Sequence, residues 1–407
     1  MVGVAVLGIG IAAAWVACNE IVGNESPTRV DPSGPDGEVD APVARCDGGT
    51  CGQDACDGPC VIDCREAMVT DPDNHCGSCE RSCLGGKCED GGCTPVEVSE
   101  GSYPLDVLVD PASDGYVYWA TGNNSGPSRI LRRPKSLQSP PETVFEGGTQ
   151  LFSPPLGMAG DHLYWLMHGP SANGRTTVNW ANKDGSSWQS FEPEGNVWTT
   201  VAQDPAALYW TALEPKPAIR RWPLGADPSK VAAWWLEPGP GNPASRRFLA
   251  IEAEPGPNER IFWLESDGVY RIEKNGTRQK LLAHDFYSAP GSYLAVTKSD
   301  IYFVTSDNQI VRMNHDGECP GEKVCPEVIV PSYSPKNVRA LTIDDDKLYW
   351  GVYPDGYLMR IDLDGTHLVT LAKVNNGGVV GIAFDDRAIY FLSGSRSGKG
   401  SVWRMAK

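Results

Sequence analysis

Cys76 and Cys79, in the run CGSC, have the spacing with which two thiolates grip one metal ion. No second CxxC answers them at zinc-ribbon distance. Cys46, Cys51, Cys56, Cys60, Cys64, Cys76, Cys79, Cys83, Cys88 and Cys93 crowd into one stretch, a density that suits disulfides in an oxidising compartment. Cys319 and Cys325, in CPGEKVC, are placed to staple a single loop by a disulfide. The thirteenth cysteine, Cys18, stands apart at the end of an apolar run. The six histidines (His75, His162, His168, His284, His315 and His367) form no zinc-like pair and fall mostly in turns. The acidic runs DDD (344 to 346) and DD (385 to 386) offer oxygens for calcium, but both sit at tight turns, where Asp favours the turn itself. No G-x-S-x-G, P-loop or dinucleotide fingerprint is present, so no catalytic residue is named and neither a metal nor a cofactor is expected.

The cysteines need a compartment. VGVAVLGIGIAAAWVAC (2 to 18) is apolar throughout but shorter than the roughly 20 residues that span a bilayer, which fits an export signal. Its end, WVAC, resembles a bacterial lipobox, which implies lipidation of Cys18 and an even number of cysteines left to pair. Residues 19 to 45 are acidic and rich in Pro, Gly and Ser, and read as a disordered linker with a reach of roughly 30 Å. Residues 46 to 93 are too short and too poor in large apolar residues to fold without disulfides. The run HCGSCERSCLGGKCEDGGC resembles the cysteine-rich heads that precede repeat domains in bacterial envelope lipoproteins. The expected location is therefore the cell envelope, with the lipid on Cys18 as the one membrane contact. A formal charge of −17 argues against nucleic acid and against an anionic bilayer as direct partners.

The elements that would position a site come from the remainder, 94 to 407. An aromatic pair recurs seven times, in YVYWA, HLYWL, ALYWT, RIFWL, DIYFV, KLYWG and AIYFL. Counted from Tyr118 through Tyr164, Tyr209, Phe262, Tyr302, Tyr349 and Tyr390, the steps are 46, 45, 53, 40, 47 and 41 residues. That period matches a four-stranded propeller blade. The strand after each pair carries a basic residue (Arg132, Arg221, Arg271, Arg312, Arg360, Arg404), with Asn179 as the exception in the second copy. Turns on Gly follow in NKDG, EKNG, NHDG and DLDG. The seventh copy ends at Lys407 after its third strand, and PVEVSE (95 to 100) is expected to pair with 401 to 405 and close the ring. The fold expected is all-β, a seven-bladed propeller closed by an N-terminal strand, with the Tyr-Trp pairs as blade packing.

These copies resemble the YWTD repeats of low-density-lipoprotein-receptor-type propellers across nearly all of 94 to 407, through the YW pairs and the R-x-x-x-DG hairpins. The resemblance implies a binding type of function. The motif's Asp after Tyr-Trp-Thr has no counterpart here, so no ligand residue is carried over.

With strands named a to d from the channel outward, the b–c loops and d–a connections emerge on one face and the a–b and c–d turns on the other. The first face carries the longer loops: 121 to 128, 168 to 176, 237 to 247 and 393 to 400. Recognition usually resides in loops on a rigid scaffold, so a protein or carbohydrate partner is expected there, touching some of Asn123, Asn124, His168, Arg175, Arg247, Tyr353, Arg396 and Lys399. The reading is an envelope-anchored, monomeric, non-enzymatic recognition or scaffold protein. The alternatives are a lyase or glycan hydrolase with paired carboxylates in the central channel, and a purely structural subunit with a large apolar face.

Overall fold

The computed structural model describes residue 76 and residues 82–89, 92–123, 126–148, 150–169, 176–193, 197–212, 217–236, 248–253, 260–265, 268–277, 279–284, 293–318, 325–332, 337–394 and 398–407. The signal, the linker, most of the cysteine-rich segment, Cys18 and Cys319 lie outside them. Residues 63 to 407 form one compact unit.

Seven four-stranded antiparallel sheets build the body. Six are continuous in sequence, as in blade 1 with strands Pro104–Val109, Tyr116–Asn123, Gly126–Pro134 and Glu142–Glu146. The seventh takes strands a to c from Gly378–Phe384, Ala388–Gly394 and Lys399–Ala406, and its outer strand from Val96–Ser102. Val96 lies opposite Arg404 and Ser102 opposite Lys399, with a register shift between Glu97 and Ser99. Closure by the N-terminal strand is therefore as the sequence requires. Among the described residues, helix is confined to one 3₁₀ turn, Pro228–Lys230.

The aromatic pair owes its recurrence to the two-residue period of a strand, which sends successive side chains to opposite faces. Each blade is covered on both faces, so both positions must be apolar. The first aromatic meets the second aromatic of the next blade within one buried cluster at every seam: Tyr118 with Trp165, Tyr164 with Trp210, Tyr209 with Trp263, Phe262 with Phe303, Tyr302 with Trp350, Tyr349 with Phe391, and Tyr390 with Trp119. Truncating one of the buried tryptophans to Ala would cost about 3–5 kcal/mol. The turn glycines Gly185, Gly276, Gly317 and Gly365 have φ between +82° and +89°, where a side chain would be strained.

One reading of the sequence is corrected. In six blades the first aromatic faces the basic residue across strands b and c, as Tyr118 faces Arg132 and Tyr390 faces Arg404. In blade 2 the residue facing Tyr164 is Trp180, one position beyond Asn179. Trp180 packs on Trp222 of blade 3 with ring centroids 5.1 Å apart, so an aromatic contact replaces the cation at that seam.

Two disulfides, Cys76–Cys88 and Cys83–Cys93, hold a short hairpin against Ala406 at the end of blade 7. Cys325 is also disulfide-bonded.

Candidate functional site

The residues most capable of chemistry are the charged ones that recur with the repeat, and the structure places most of them at the seams. The strand c arginine donates through Nη1 to a main-chain oxygen of the next blade: Arg132 to Lys183 at 2.9 Å, Arg271 to His315 at 2.7 Å, Arg312 to Leu363 at 2.9 Å, and Arg404 to Lys135. Each acceptor lies three residues beyond the residue that faces its own blade's first aromatic.

At four seams this position of the c–d turn also has a partner at the end of strand a in the preceding blade. Where it is Lys, it meets an Asp: Lys135 with Asp385 at 2.9 Å, Lys183 with Asp110 at 2.8 Å, Lys274 with Asp204 at 2.6 Å, and Lys407 with Asp344 at 2.6 Å. Where it is Leu224 or Leu363, the preceding blade offers Ala159 or Thr297 instead. Three of these aspartates also bind their own turns, Asp110 through the amide of Ala112. Asp385 accepts from the amides of Arg387 and Ala388, and Asp204 from those of Ala206 and Ala207. The turn role expected for Asp385 is therefore what the structure shows. Burial pushes the Asp204 and Asp385 carboxyls up, but their lysine partners and turn amides outweigh it and hold them below the usual carboxylate range.

The loop-face residues are distributed along one arc. Asn123 ends strand b of blade 1, His168 strand b of blade 2, and Tyr353 strand b of blade 6, while Lys399 begins strand c of blade 7. Blades 6, 7, 1 and 2 are consecutive around the ring, so the four lie at the b–c ends of neighbouring blades. His168 pairs through Nδ1 with Thr176 Oγ1 at 3.0 Å, and burial pushes its imidazole pKa down. Tyr353 has the Arg339 guanidinium 6.0 Å from its ring centroid. Lys399 is exposed. Asn124, Arg175, Arg247, Arg396 and Cys319 lie outside the described residues, as does the side chain of Asn123.

On the inner strand of blade 1, Asp106 accepts from its neighbour Val107 N at 2.9 Å and from Leu156 N on the inner strand of blade 2. Burial outweighs those two amides and raises its pKa to about 7. Sequence reading missed this residue, because LDVLVD gives no sign that a carboxyl on an inner strand will be enclosed by the next blade. It also missed the Asp–Lys pairs. Comparing each strand a end with the turn one copy later would have shown the match of Asp to Lys and of Ala or Thr to Leu.

No protein-family model matches the chain, and no curated protein matches it. Solved structures do resemble it. The β-propeller domain of Cps50 (Swd1) from Myceliophteria thermophila aligns with a TM-score of 0.53 at 10% identity, covering 76% of this chain and 99% of that one. The extracellular domain of a chain described as a one-component system, from B. thetaiotaomicron, aligns with a TM-score of 0.52 at 13% identity, covering 76% of this chain and 39% of that one. One of two prolyl endopeptidases aligns with a TM-score of 0.48 at 15% identity, over 75% of this chain and 50% of that one. At these identities the likeness concerns the propeller fold.

Proposed function

We propose that this chain is an envelope-anchored recognition or scaffold protein that presents the b–c and d–a loops of a rigid propeller to a protein or glycan partner. The observation that carries the reading is a division of labour within the repeat. Its aromatic pairs and most of its Arg, Asp and Lys residues hold neighbouring blades together, while residues outside the repeat pattern stand at the b–c ends of the arc formed by blades 6, 7, 1 and 2. A scaffold whose recurring residues face inward leaves its variable loops free to differ, which is how recognition surfaces arise on propellers and sandwiches alike. The YWTD-like character of the copies and the lipid on Cys18 belong to the same proposal.

The test is a pull-down from the native envelope fraction with the full chain as bait, followed by mass spectrometry, repeated with Arg175→Ala, Arg396→Ala and Lys399→Ala. A partner lost from these baits while the melting temperature stays unchanged supports the loop face. A partner retained by all three, and lost instead on changes around 182 to 185 or 314 to 325, places recognition on the other face.

A second reading, proton transfer in the channel, has Asp106 in its favour, since a carboxyl that titrates near neutrality is suited to general acid–base work. Asp106→Asn abolishing a hydrolytic or eliminating activity on envelope glycans would establish it, and the absence of any such activity in the unaltered chain would remove it.

A further inference from the structure

Each strand c has one position whose side chain shares a face with the second aromatic of strand b. It holds Leu131 opposite Trp119, Tyr270 opposite Trp263, Val311 opposite Phe303, Met359 opposite Trp350 and Trp403 opposite Phe391. Blade 2 has Asn179 there, whose amide donates to Thr177 O at 3.0 Å and to Thr177 Oγ1 at 2.9 Å. Blade 3 has Arg220, opposite Trp210 and only 5% exposed. Where five blades place an apolar or aromatic side chain, this one places a guanidinium.

A charge taken out of water is costly unless a counter-ion and hydrogen bonds replace its hydration. Buried cations elsewhere in the ring have a counter-ion, as Lys135 has Asp385 and Arg271 has Asp316. Among the described residues none forms an ion pair with Arg220, and its Nε is enclosed without a hydrogen-bond partner, while Nη1 and Nη2 are not so enclosed. Glu192, just past strand d of blade 2, is exposed and is not paired with it.

The face that carries Arg220 is packed on blade 2. Trp222, two residues on, meets Tyr164, Trp180 and Phe191 with ring centroids 6.1, 5.1 and 5.2 Å away. Strands b and c have the same direction in consecutive blades, so each step of two residues from that aromatic layer towards the b–c loops covers about 7 Å on both sheets. The first step sets Arg220 level with Val178 and Leu166, and the second sets Ala218 and Ala212 level with Thr176 and His168. With alanine at both of those positions, Arg220 is the side chain of these strands long enough to extend towards His168 and Thr176. Thr176 is buried and joined to His168 Nδ1 at 3.0 Å, and His168 Nε2 is enclosed without a partner. In either tautomer that pair has a donor to spare: Nε2–H if the Thr176 hydroxyl gives its proton to Nδ1, the hydroxyl if Nδ1 gives its own.

A guanidinium fork matches a planar carboxylate, and burial, which pushes the His168 imidazole pKa down, leaves one positive charge to be matched. Depth decides how the carboxylate is carried. A guanidinium this enclosed is reached by a carboxylate on a slender stem, as on an acidic side chain or a chain end, and not by one fixed to a sugar ring. A net charge of −17 repels an acidic run, so the carboxylate stands among neutral residues.

We propose that the loop end of the blade 2–3 seam binds a single carboxylate of a partner polypeptide, held by Arg220 with His168 and Thr176. This rests on the reading of the loop face as the recognition face, to which His168 belongs, and narrows that reading to a protein partner.

NMR titration of the full-length, histidine-labelled protein tests it, with the His168 ring signals assigned by their loss in His168→Gln. The probes are acetyl-Ala-Glu-Ala amide, acetyl-Ala-Ala-Ala with a free C-terminus, acetyl-Ala-Gln-Ala amide and glucuronate. Saturable displacement of the His168 signals in the millimolar range or below is expected with at least one of the two carboxylate peptides, and none with the glutamine peptide. Response to the glutamate peptide identifies an acidic side chain, and response to the free C-terminus identifies a chain end. Arg220→Met should weaken that binding about tenfold or more, and Arg387→Gln, an exposed arginine at the a–b turn of blade 7, should leave it unchanged. Because Arg220 has no counter-ion in the free protein, Arg220→Met should melt at the same temperature or higher. A lowered melting temperature in Arg220→Met, no saturation with either carboxylate peptide, equal displacement by the glutamine peptide, or saturation by glucuronate alone overturns the proposal. A pull-down partner lost from the Arg175, Arg396 or Lys399 baits, with no peptide response here, leaves the loop face as the recognition face and removes only the carboxylate site.

Discussion

The seam pairing makes a quantitative prediction at the ring closure. Lys135 and Asp385 are 8% and 6% exposed, and Lys135 Nζ also donates to Ala112 O at 2.8 Å. Removing one partner of a buried pair costs about 3–5 kcal/mol, because the other charge stays buried without compensation, whereas replacing both with a packed apolar pair is near neutral. Seam 5–6 has Thr297 and Leu363 at the corresponding positions and so supplies native residues to copy. Thr297 Oγ1 accepts from Ser299 N and Asp300 N as Asp385 accepts from Arg387 N and Ala388 N, so Asp385→Thr keeps the turn. Asp385→Thr alone should cost about 3 kcal/mol, the low end, since Lys135 keeps the Ala112 carbonyl. Lys135→Leu alone should cost about 2 kcal/mol, because the Asp385 carboxylate retains two amides and the Tyr390 hydroxyl. The double variant should lie within about 1 kcal/mol of the parent, a coupling of about 4 kcal/mol in a double-mutant cycle. Urea unfolding at neutral pH measures all four corners. The cycle also has a pH signature. The folded pKa of Asp385 lies below its ordinary value of 3.8, so its contribution is present above that value and lost as pH falls through the folded pKa, and the double variant should not show that loss. Additive single effects, with the double variant about 5 kcal/mol down, would refute the reasoning.

Deleting 94 to 102 should lower the unfolding midpoint and produce self-association, since it removes the fully buried Val98 and exposes the edge of Lys399–Ala406; size-exclusion with light scattering reads the second effect, and an unchanged midpoint in a monodisperse monomer would contradict the closure described. Cys18→Ser should move the protein from a detergent-requiring fraction to the soluble extract, and retention in the membrane would contradict the lipid anchor. His168 should titrate below the ordinary 6.5 by NMR; because burial lowers its folded pKa, its contribution is present above 6.5 and lost as pH falls through the folded pKa. Arg129 and Glu146 pair at 2.7 Å but are 45% and 52% exposed, so Glu146→Gln should change stability by less than about 1 kcal/mol in urea.

The sequence by itself determined the ring. Aromatic pairs at steps of 40 to 53 residues, basic residues on the following strand and glycines at tight turns are local patterns, each readable because strand periodicity and turn conformation act over a few residues. The incomplete seventh copy and the spare run before the first left one way to close the sheet, and Val96–Ser102 takes it. Tertiary structure decided what the repeated charges do. Asp110 and Lys183 are 73 residues apart, and Asp204 and Lys274 are 70, so their pairing depends on how neighbouring blades abut. It also decided which residue of blade 2 faces Tyr164, because Trp180 rather than Asn179 falls there once the hairpin register is set. The carboxyl of Asp106, held by an amide of its own strand and one of the next blade, arises in the same way. Desolvation and hydrogen-bond satisfaction are properties of the space between blades, and no local run of residues encodes that space.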